Sequence, residues 1–247
     1  MSNPFDRTHL ASFSSWIAKA PVIYEKNQMV LITIRTSPDV LRALVPDLLA
    51  VNADSHLSIY VSRLNITHPR PGAYGEAGIL IPASFRGTHG SYMPVLYLDQ
   101  VRPIIIGREV WGFPKFPADV RLAVDDRVVH ASVVVENTSL IDATLSLDKP
   151  IEPTRAFPSP VFLLKAIPSA TGGSAYDVKQ LTTAVLRNSV FSQVWPGQVT
   201  LQLQSTPADP LGEIPILAIV DAVYTIGGFA LDYGEVLFDY LLEDRKK

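Results

Sequence analysis

Cysteine is absent from the sequence, and its absence excludes disulfides, thiolate metal sites and a cysteine nucleophile. Charge is also sparse, since charged residues make up 18% of the 247 residues and the formal net charge is -3. The one basic run is the terminal Arg245-Lys246-Lys247. Because nucleic-acid-binding domains carry a basic patch or stripe, we expect no nucleic-acid partner.

Long apolar runs are missing as well. A helix needs roughly 20 apolar residues to cross a bilayer, whereas Ile104-Ile105-Ile106 is among the densest apolar patches here. The first residues, Met1-Ser2-Asn3-Pro4, do not form the basic and apolar segments of a secretory signal. We therefore expect a cytoplasmic protein without a membrane partner.

Motifs for metals and nucleotides are also missing. The Gly72–Gly78 segment lacks the Gly-Lys-Ser/Thr ending of a phosphate-binding loop, and no Gly-x-Ser-x-Gly elbow of a serine hydrolase occurs. The five histidines are dispersed and form no His-Glu-x-x-His set. We therefore expect neither a metal nor another cofactor.

Hydrophobic residues make up 47% of the sequence, enough for a large core. Alternating apolar and β-branched residues predict many short strands with few helices, which is typical of a mainly β protein whose twisted antiparallel sheet closes into a barrel or folds as a sandwich. The predicted strands are residues 29–35, 57–64, 79–85, 94–99, 120–124, 127–136, 140–147, 161–167, 178–186, 190–194, 199–204 and 216–226.

The peripheral helices and loops follow from local signals. Helices are predicted at residues 8–19 and 39–44, the second with Ser37 as N-cap and Pro38 at its first position. Residues 68–75 and 169–175 are predicted loops, the first placing Glu76 at the start of a strand, and residues 229–242 are expected to begin irregularly and end as a helix.

The proline-dense segment 148–160 is the best candidate for a domain boundary. Too few strands follow it to form an independent core, so we interpret it as a connection within one domain spanning residues 1–247.

One lysine stands out, in Gly107-Arg-Glu-Val-Trp-Gly-Phe-Pro-Lys-Phe116. A lysine must lose its proton to attack a carbonyl carbon, and removal from water favours the neutral form. Trp111, Phe113 and Phe116 could supply apolar walls around Lys115, and Pro114 would hold it on a stiff backbone. The alternative is an ordinary loop lysine whose stem packs along aromatic rings.

The pattern Gly107-Arg108-Glu109-x-x-Gly112-x-Pro114-Lys115 resembles the signature of the acetoacetate decarboxylase superfamily, whose members form a Schiff base through the lysine after that proline. Acetoacetate decarboxylase is an established example of a lysine activated by desolvation or a cationic neighbour. Further segments resemble the family in order and spacing, namely Tyr74-Gly75-Glu76-Ala77-Gly78, Ile81-Pro82, Tyr97-Leu98-Asp99 and the ending Glu235-Val-Leu-Phe-Asp-Tyr-Leu241.

The resemblance implies a cone-like β-barrel, a homo-oligomer and a small keto acid as substrate. It also implies that Lys115 forms the Schiff base and that Glu76 moves protons. We expect Trp111, Phe113 and Phe116 to contact the substrate. Arg108 is a further candidate, although an adjacent Arg-Glu pair more often supports a loop than takes part in catalysis.

The sequence departs from the resembled decarboxylases in two respects. Phe116 stands where they carry a second lysine, which leaves desolvation alone to favour the neutral amine. They also carry an arginine entering the early strand and an acid in the next strand, where this sequence has Lys26-Asn27-Gln28 and Ile59-Tyr60-Val61.

The sequence therefore leaves three alternative functions open. The first is a lyase that decarboxylates a small β-keto acid through Lys115. The second is a lysine-dependent aldolase or dehydratase that condenses pyruvate or a similar keto acid with an aldehyde. The third is a non-catalytic β-barrel that binds an apolar ligand.

Overall fold

The computed structural model describes residues 19–51, 54–153, 156–173 and 175–244. The helix predicted at residues 8–19 lies outside the described residues except for Lys19. Within the described ranges, no helix combines the length and apolar character required to span a membrane.

The described chain is mostly strand. Its strands are β1 (Val22–Arg35), β2 (Ala50–Val51), β3 (His56–His68), β4 (Gly72–Phe85), β5 (Thr88–Tyr92), β6 (Leu96–Leu98), β7 (Lys115–Pro117), β8 (Asp119–Asp125), β9 (Val128–Val135), β10 (Thr138–Leu147), β11 (Val161–Pro168), β12 (Tyr176–Leu203), β13 (Ala218–Asp232) and β14 (Val236–Asp239). The helical elements are α1 (Pro38–Leu44), α2 (Val101–Ile106), a π-helical turn (Gly107–Trp111), a 3-10 turn (Leu211–Glu213) and α3 (Tyr240–Asp244).

Seven strands form a hydrogen-bonded ring. Their order is β11-β5-β4-β3-β1-β13-β12, and β11 pairs with β12 as well as with β5, which closes the ring. The second half of the long strand β12 leaves the ring and continues the sheet through β10, β9 and β8. Pairing is antiparallel except between β11 and β5 and between β6 and β7. The predicted mainly β fold class is confirmed.

Both faces of the β1–β3–β4 sheet are buried, which positions the candidate site. On one face the paired residues Ile32 and Ile59 belong to a core that also includes Val133 of β9 and Ile141 of β10. On the other face lies a second cluster, contributed by strands all around the ring. Because both faces are covered, β3 is continuously buried from Ile59 to Ser62 and β4 from Tyr74 to Ile81.

Several sequence predictions are confirmed. Helix α1 begins with Pro38 after Ser37, and β8 and β9 form the hairpin expected around Asp125-Asp126. Residues 148–160 connect β10 to β11, and no named helix or strand occurs in the described part of that connection. The assignment of residues 1–247 to one domain stays a prediction.

Other predictions are wrong in their boundaries. The strands predicted separately at residues 178–186, 190–194 and 199–204 are one strand, β12, because irregular register near Asn188 and Ser192 bends it without ending it. β4 begins at Gly72, so Glu76 lies inside a strand and not at its start. β13 runs to Asp232 and is followed by β14, where an irregular start was expected, whereas the helix expected at the end of residues 229–242 is confirmed by α3. The short elements β2, β5 and α2 were not predicted.

Candidate active site

Lys115 is held at the end of a tightly wound segment. Helix α2 runs into the π-helical turn, and the carbonyl of Gly107 accepts hydrogen bonds from the backbone N–H groups of Gly112 (3.0 Å) and Phe113 (3.1 Å). Gly112 ends the turn at φ +87°, a left-handed conformation that glycine adopts without a Cβ penalty. The backbone N–H of Leu96 then donates to the carbonyl of Pro114, which fixes β7 beside β6.

The same turn makes room for the lysine side chain. Gly107 lies directly against it, and a Cβ on residue 107 would approach Cδ of Lys115 to 2.7 Å. The absence of a side chain at Gly107 therefore lets the Lys115 stem lie along the turn and keeps it out of water.

Glu76 is brought to the lysine by sheet register. Gly78 of β4 pairs with Leu96 of β6, and Leu96 pairs with Lys115 of β7. Glu76 lies two residues before Gly78 on β4, so its side chain is on the same face of the sheet as that of Lys115. Nζ of Lys115 is 3.0 Å from Oε2 of Glu76, and the two side chains are only 7% and 9% exposed. Oε2 has no hydrogen-bond partner among the described residues, so the contact is a charge pair. Because burying an unpaired charge is costly, each of the two side chains compensates the charge of the other.

Three tyrosines, Tyr24, Tyr60 and Tyr74, line the same cavity as this carboxylate. Tyr60 donates to Oε1 of Glu76 at 2.9 Å, and the hydroxyl groups of Tyr24 and Tyr74 are 3.1 Å apart. Burial raises the pKa of all three tyrosines, and the charge of Glu76 raises each pKa further. These phenols therefore remain protonated donors at neutral pH. Opposite Tyr60 on β4, Gly78 leaves space for the ring, since a Cβ there would lie 3.2 Å from Cε1 of Tyr60.

Aromatic rings form the apolar walls. Nζ of Lys115 is 5.0 Å from the centroid of the Phe113 ring and 5.9 Å from that of Tyr74. Trp111 is buried, donates from Nε1 to the carbonyl of Asp232 at 3.0 Å, and stacks on Tyr233. The indole is thus fixed in place as a wall.

Lys115 lies between two cavities. The outer cavity has a volume of about 160 Å³ and is lined by Trp111, Phe113 and Lys115 together with two arginines. The inner cavity has a volume of about 40 Å³ and is lined by Lys115, Phe113 and Glu76 together with apolar and tyrosine side chains. A ligand whose carbonyl carbon reaches Nζ could therefore extend in two directions.

The structure brings together four of the six residues proposed from the sequence: Lys115, Glu76, Phe113 and Trp111. Phe116 lies apart from them, because adjacent residues of a strand point to opposite faces, and it is 45% exposed. Arg108 is also exposed; its Nη1 donates to the backbone carbonyl of Lys115 at 3.2 Å, and its guanidinium lies 5.4 Å from the Phe116 ring centroid. This arrangement supports the backbone of β7 from outside the cavities.

Sequence reasoning missed the three tyrosines and the two arginines, Arg70 and Arg102. One signal was available for Tyr60, since it lies in Ile59-Tyr60-Val61, one of the two segments at which the sequence departs from the resembled decarboxylases. In the register of β3 against β4, Ser62 faces Glu76, so Tyr60 is a diagonal neighbour of Glu76 on the same face. Tyr74 opens the segment Tyr74-Gly75-Glu76-Ala77-Gly78, which also contains Glu76. Tyr24, Arg70 and Arg102 come from separate elements with no shared sequence motif.

The arrangement favours amine chemistry. Among the described residues, no group of three or more histidine, cysteine, aspartate and glutamate side chains is placed to hold a metal ion. The site offers one amine, one carboxylate and hydroxyl donors in apolar surroundings, which are the groups needed to form and hydrolyse an imine.

Comparisons with known proteins point to one family. The profile of the family "Acetoacetate decarboxylase (ADC)" matches residues 10–241. An acetoacetate decarboxylase of Paraburkholderia phytofirmans is 33% identical over 226 residues, which are 90% of this chain and 88% of the relative.

Solved structures are also similar. The crystal structure of acetoacetate decarboxylase from Legionella pneumophila has a TM-score of 0.78 at 27% identity, over 90% of this chain and 89% of that one. The enduracididine biosynthesis enzyme MppR, complexed with the condensation product of pyruvate and imidazole 4-carboxaldehyde, has a TM-score of 0.80 over 92% and 93% of the two chains. Its identity of 19% shows a shared fold alone.

Proposed function

The chain belongs to the acetoacetate decarboxylase family, and from this premise we propose that it is a Schiff-base-forming lyase that decarboxylates a small β-keto acid through Lys115. The observation that carries the proposal is the buried pair of Lys115 and Glu76, 3.0 Å apart, between two cavities. The pair supplies a nucleophile and a proton carrier in the same apolar site.

The first steps form the iminium. The Lys115 ammonium gives a proton to Glu76, and the neutral amine attacks the ketone carbon of the substrate. Glu76 returns the proton to the hydroxyl group of the resulting carbinolamine, which leaves as water. The product is a cationic iminium beside a carboxylate, and Tyr60 holds that carboxylate in place through its 2.9 Å hydrogen bond.

The next steps break the carbon–carbon bond. Electrons of the bond to the carboxyl group flow into the iminium, CO2 leaves, and a neutral enamine remains. A proton from water, relayed by Glu76, adds to the enamine carbon and regenerates an iminium. Hydrolysis then releases the ketone and returns Lys115 to the ammonium form, so the reaction consumes one proton for each CO2.

Borohydride trapping tests this proposal. The protein is incubated with acetoacetate or with pyruvate, reduced, and measured by intact mass and peptide mapping. We expect an adduct on Lys115, none in Lys115→Met, and an unchanged yield in the control Lys149→Met, which alters an exposed lysine. Absence of an adduct with every keto acid would favour the non-catalytic binding protein.

The aldolase or dehydratase alternative uses the same lysine. The MppR complex with a pyruvate condensation product shows that a protein of this fold is associated with such a compound. Headspace CO2 and consumption of an added aldehyde separate the two activities. Release of CO2 from acetoacetate without an aldehyde supports the decarboxylase, whereas aldehyde consumption with pyruvate and no CO2 supports the aldolase.

A further inference from the structure

The outer cavity carries an unusual set of charges. Three cationic side chains line it, those of Lys115, Arg70 and Arg102, and no acidic side chain occurs among its described lining residues. The two arginines come from different elements, because Arg70 lies in the connection between β3 and β4 and Arg102 lies on α2. The fold therefore brings two arginines from different elements to the same cavity as the lysine.

The two guanidinium groups influence each other. Burial lowers the pKa of Arg102, and the like charge of Arg70 lowers it further. Like charges held close together disfavour the charged forms, and an anion bound at the same place reverses that effect. Arginine is also well suited to carboxylates, because its planar fork donates two parallel hydrogen bonds.

The inner cavity has the opposite character. Its walls include Leu64, Met93, Leu186 and Phe229, and the one carboxylate on it, Glu76, is already paired with Lys115 and Tyr60. Its volume is about 40 Å³. Because one water-sized group needs roughly 10–15 Å³ of such space, the cavity holds about three groups of that size.

We propose that the substrate lies across Lys115 with its carboxylate in the outer cavity at Arg70 and Arg102 and its alkyl end in the inner cavity. This inference rests on the proposed function and names its substrate class, 3-oxo acids with an alkyl end of about one to three carbons. The arginines would replace the arginine that the resembled decarboxylases carry at the segment that here reads Lys26-Asn27-Gln28 and lies within β1.

The orientation has a kinetic consequence. When the bond to the carboxyl group breaks, its electron pair moves into the iminium and the carboxylate becomes neutral CO2. The arginines therefore hold the substrate anion more strongly than the transition state, in which the negative charge is leaving. Their loss should therefore raise KM, while kcat should stay the same or rise.

Trapping with a charged and a neutral ketone tests the arginine subsite. The variants are Arg70→Gln, Arg102→Gln and the double variant, with Arg86→Gln as a control at an exposed turn. Acetoacetate and acetone are the probes, because both form an imine with Lys115 but only one carries a carboxylate. In the double variant we expect the acetoacetate concentration for half-maximal trapping to rise about 10- to 100-fold. Acetone trapping should stay within about two-fold, since no carboxylate is involved.

The outcomes separate two failures. If the double variant loses trapping of acetone and of acetoacetate equally, the arginines only support the structure. If it loses neither, the carboxylate binds elsewhere. Both results would overturn the arginine subsite. If the unaltered protein traps neither ketone, the proposed Schiff-base function itself fails.

A chain-length series tests the inner cavity. Trapping of 3-oxobutanoate, 3-oxohexanoate and 3-oxooctanoate by the unaltered protein should fall sharply after 3-oxohexanoate, whose alkyl end has three carbons. Leu186→Ala should restore 3-oxooctanoate, while Leu217→Ala, at an exposed leucine, should not. Trapping that does not depend on chain length in the unaltered protein would overturn the placement of the alkyl end, whether or not Leu186→Ala folds.

Discussion

Gly107 leaves the space that the Lys115 side chain occupies. A Cβ on residue 107 would lie 2.7 Å from Cδ, 2.9 Å from Cε and 3.3 Å from Nζ of Lys115. The backbone of Gly107 is right-handed helical, with φ -61° and ψ -44°, which any residue can adopt. Glycine at this position is therefore required for the lysine and not for the turn.

Gly107→Ala should separate activity from stability. The added methyl group moves Lys115 away from Glu76, and a displacement of about 1 Å can reduce catalysis roughly 100-fold. The free energy of unfolding should change by less than about 1 kcal/mol, because alanine is favoured over glycine in a helix and the lysine stem can shift. Decarboxylation rates and urea unfolding measure the two quantities. Full activity in this variant would show that the position of Lys115 does not matter.

Gly112→Ala should have the opposite effect and acts as the matched comparison. Gly112 has φ +87°, and a Cβ there would lie 2.4 Å from Cβ and 2.6 Å from Cα of Lys165. Left-handed backbone costs about 1–2 kcal/mol for a residue with a Cβ, and overpacking costs about 1–3 kcal/mol. We expect the free energy of unfolding to fall by about 2–5 kcal/mol, measured by urea unfolding. Stability equal to that of Gly107→Ala would contradict this account.

Glu76→Gln should reduce kcat by about 100- to 10,000-fold, since the amide cannot carry the proton between Lys115, water and the enamine. Tyr60→Phe keeps the carboxylate but removes its 2.9 Å hydrogen bond, so a smaller loss of about 10-fold is expected. Tyr97→Phe is the control, because the hydroxyl of Tyr97 donates to Asp209 away from these residues. Steady-state kinetics measure all three variants, and a Glu76→Gln variant with normal kcat would exclude the proposed proton carrier.

Alkaline pH should destabilise the protein in part through the three tyrosines that are buried beside Glu76. The pKa of Tyr24, Tyr60 and Tyr74 is raised in the folded state, so these residues keep protons that the unfolded chain loses near pH 10. Unfolding then releases protons. The free energy of unfolding that these tyrosines contribute below pH 10 is therefore lost as the pH rises through their raised pKa values. Each group contributes up to about 1.4 kcal/mol per pH unit, so the three contribute up to about 4 kcal/mol per unit.

Urea unfolding at pH 9, 10 and 11 measures this slope. Tyr60→Phe should reduce the slope by about one third of the combined contribution, because one of the three groups is removed. The change Tyr176→Phe at an exposed tyrosine should leave the slope unaltered. A free energy of unfolding that stays constant from pH 9 to pH 11 would contradict the assignment.

The sequence was sufficient for features that depend on neighbours along the chain. Strand alternation gave the β8–β9 hairpin, and Pro38 after Ser37 gave the start of α1. The motif ending in Pro114-Lys115 identified the lysine and the family. These signals are local because backbone conformation and turn chemistry are set within a few residues.

Sheet register decided what the sequence left open. Glu76 reaches Lys115 only because β6 lies between β4 and β7 in one register, and a shift of one residue would turn Glu76 to the opposite face. The alternation of β7 likewise turns Phe116 outward next to an inward Lys115, a distinction that required knowing that this loop-like segment is a strand.

The two arginines of the outer cavity are likewise a feature that the tertiary structure decided and the sequence did not. Their positions in the chain are 32 residues apart (102 minus 70), and nothing in the spacing indicates that both line one cavity. The sequence by itself determined the candidate amine, Lys115, and the class of fold, because both depend on local residue pattern. Only the tertiary structure decided which carboxylate, phenols and guanidinium groups surround that amine, because long-range strand pairing and ring closure bring them together.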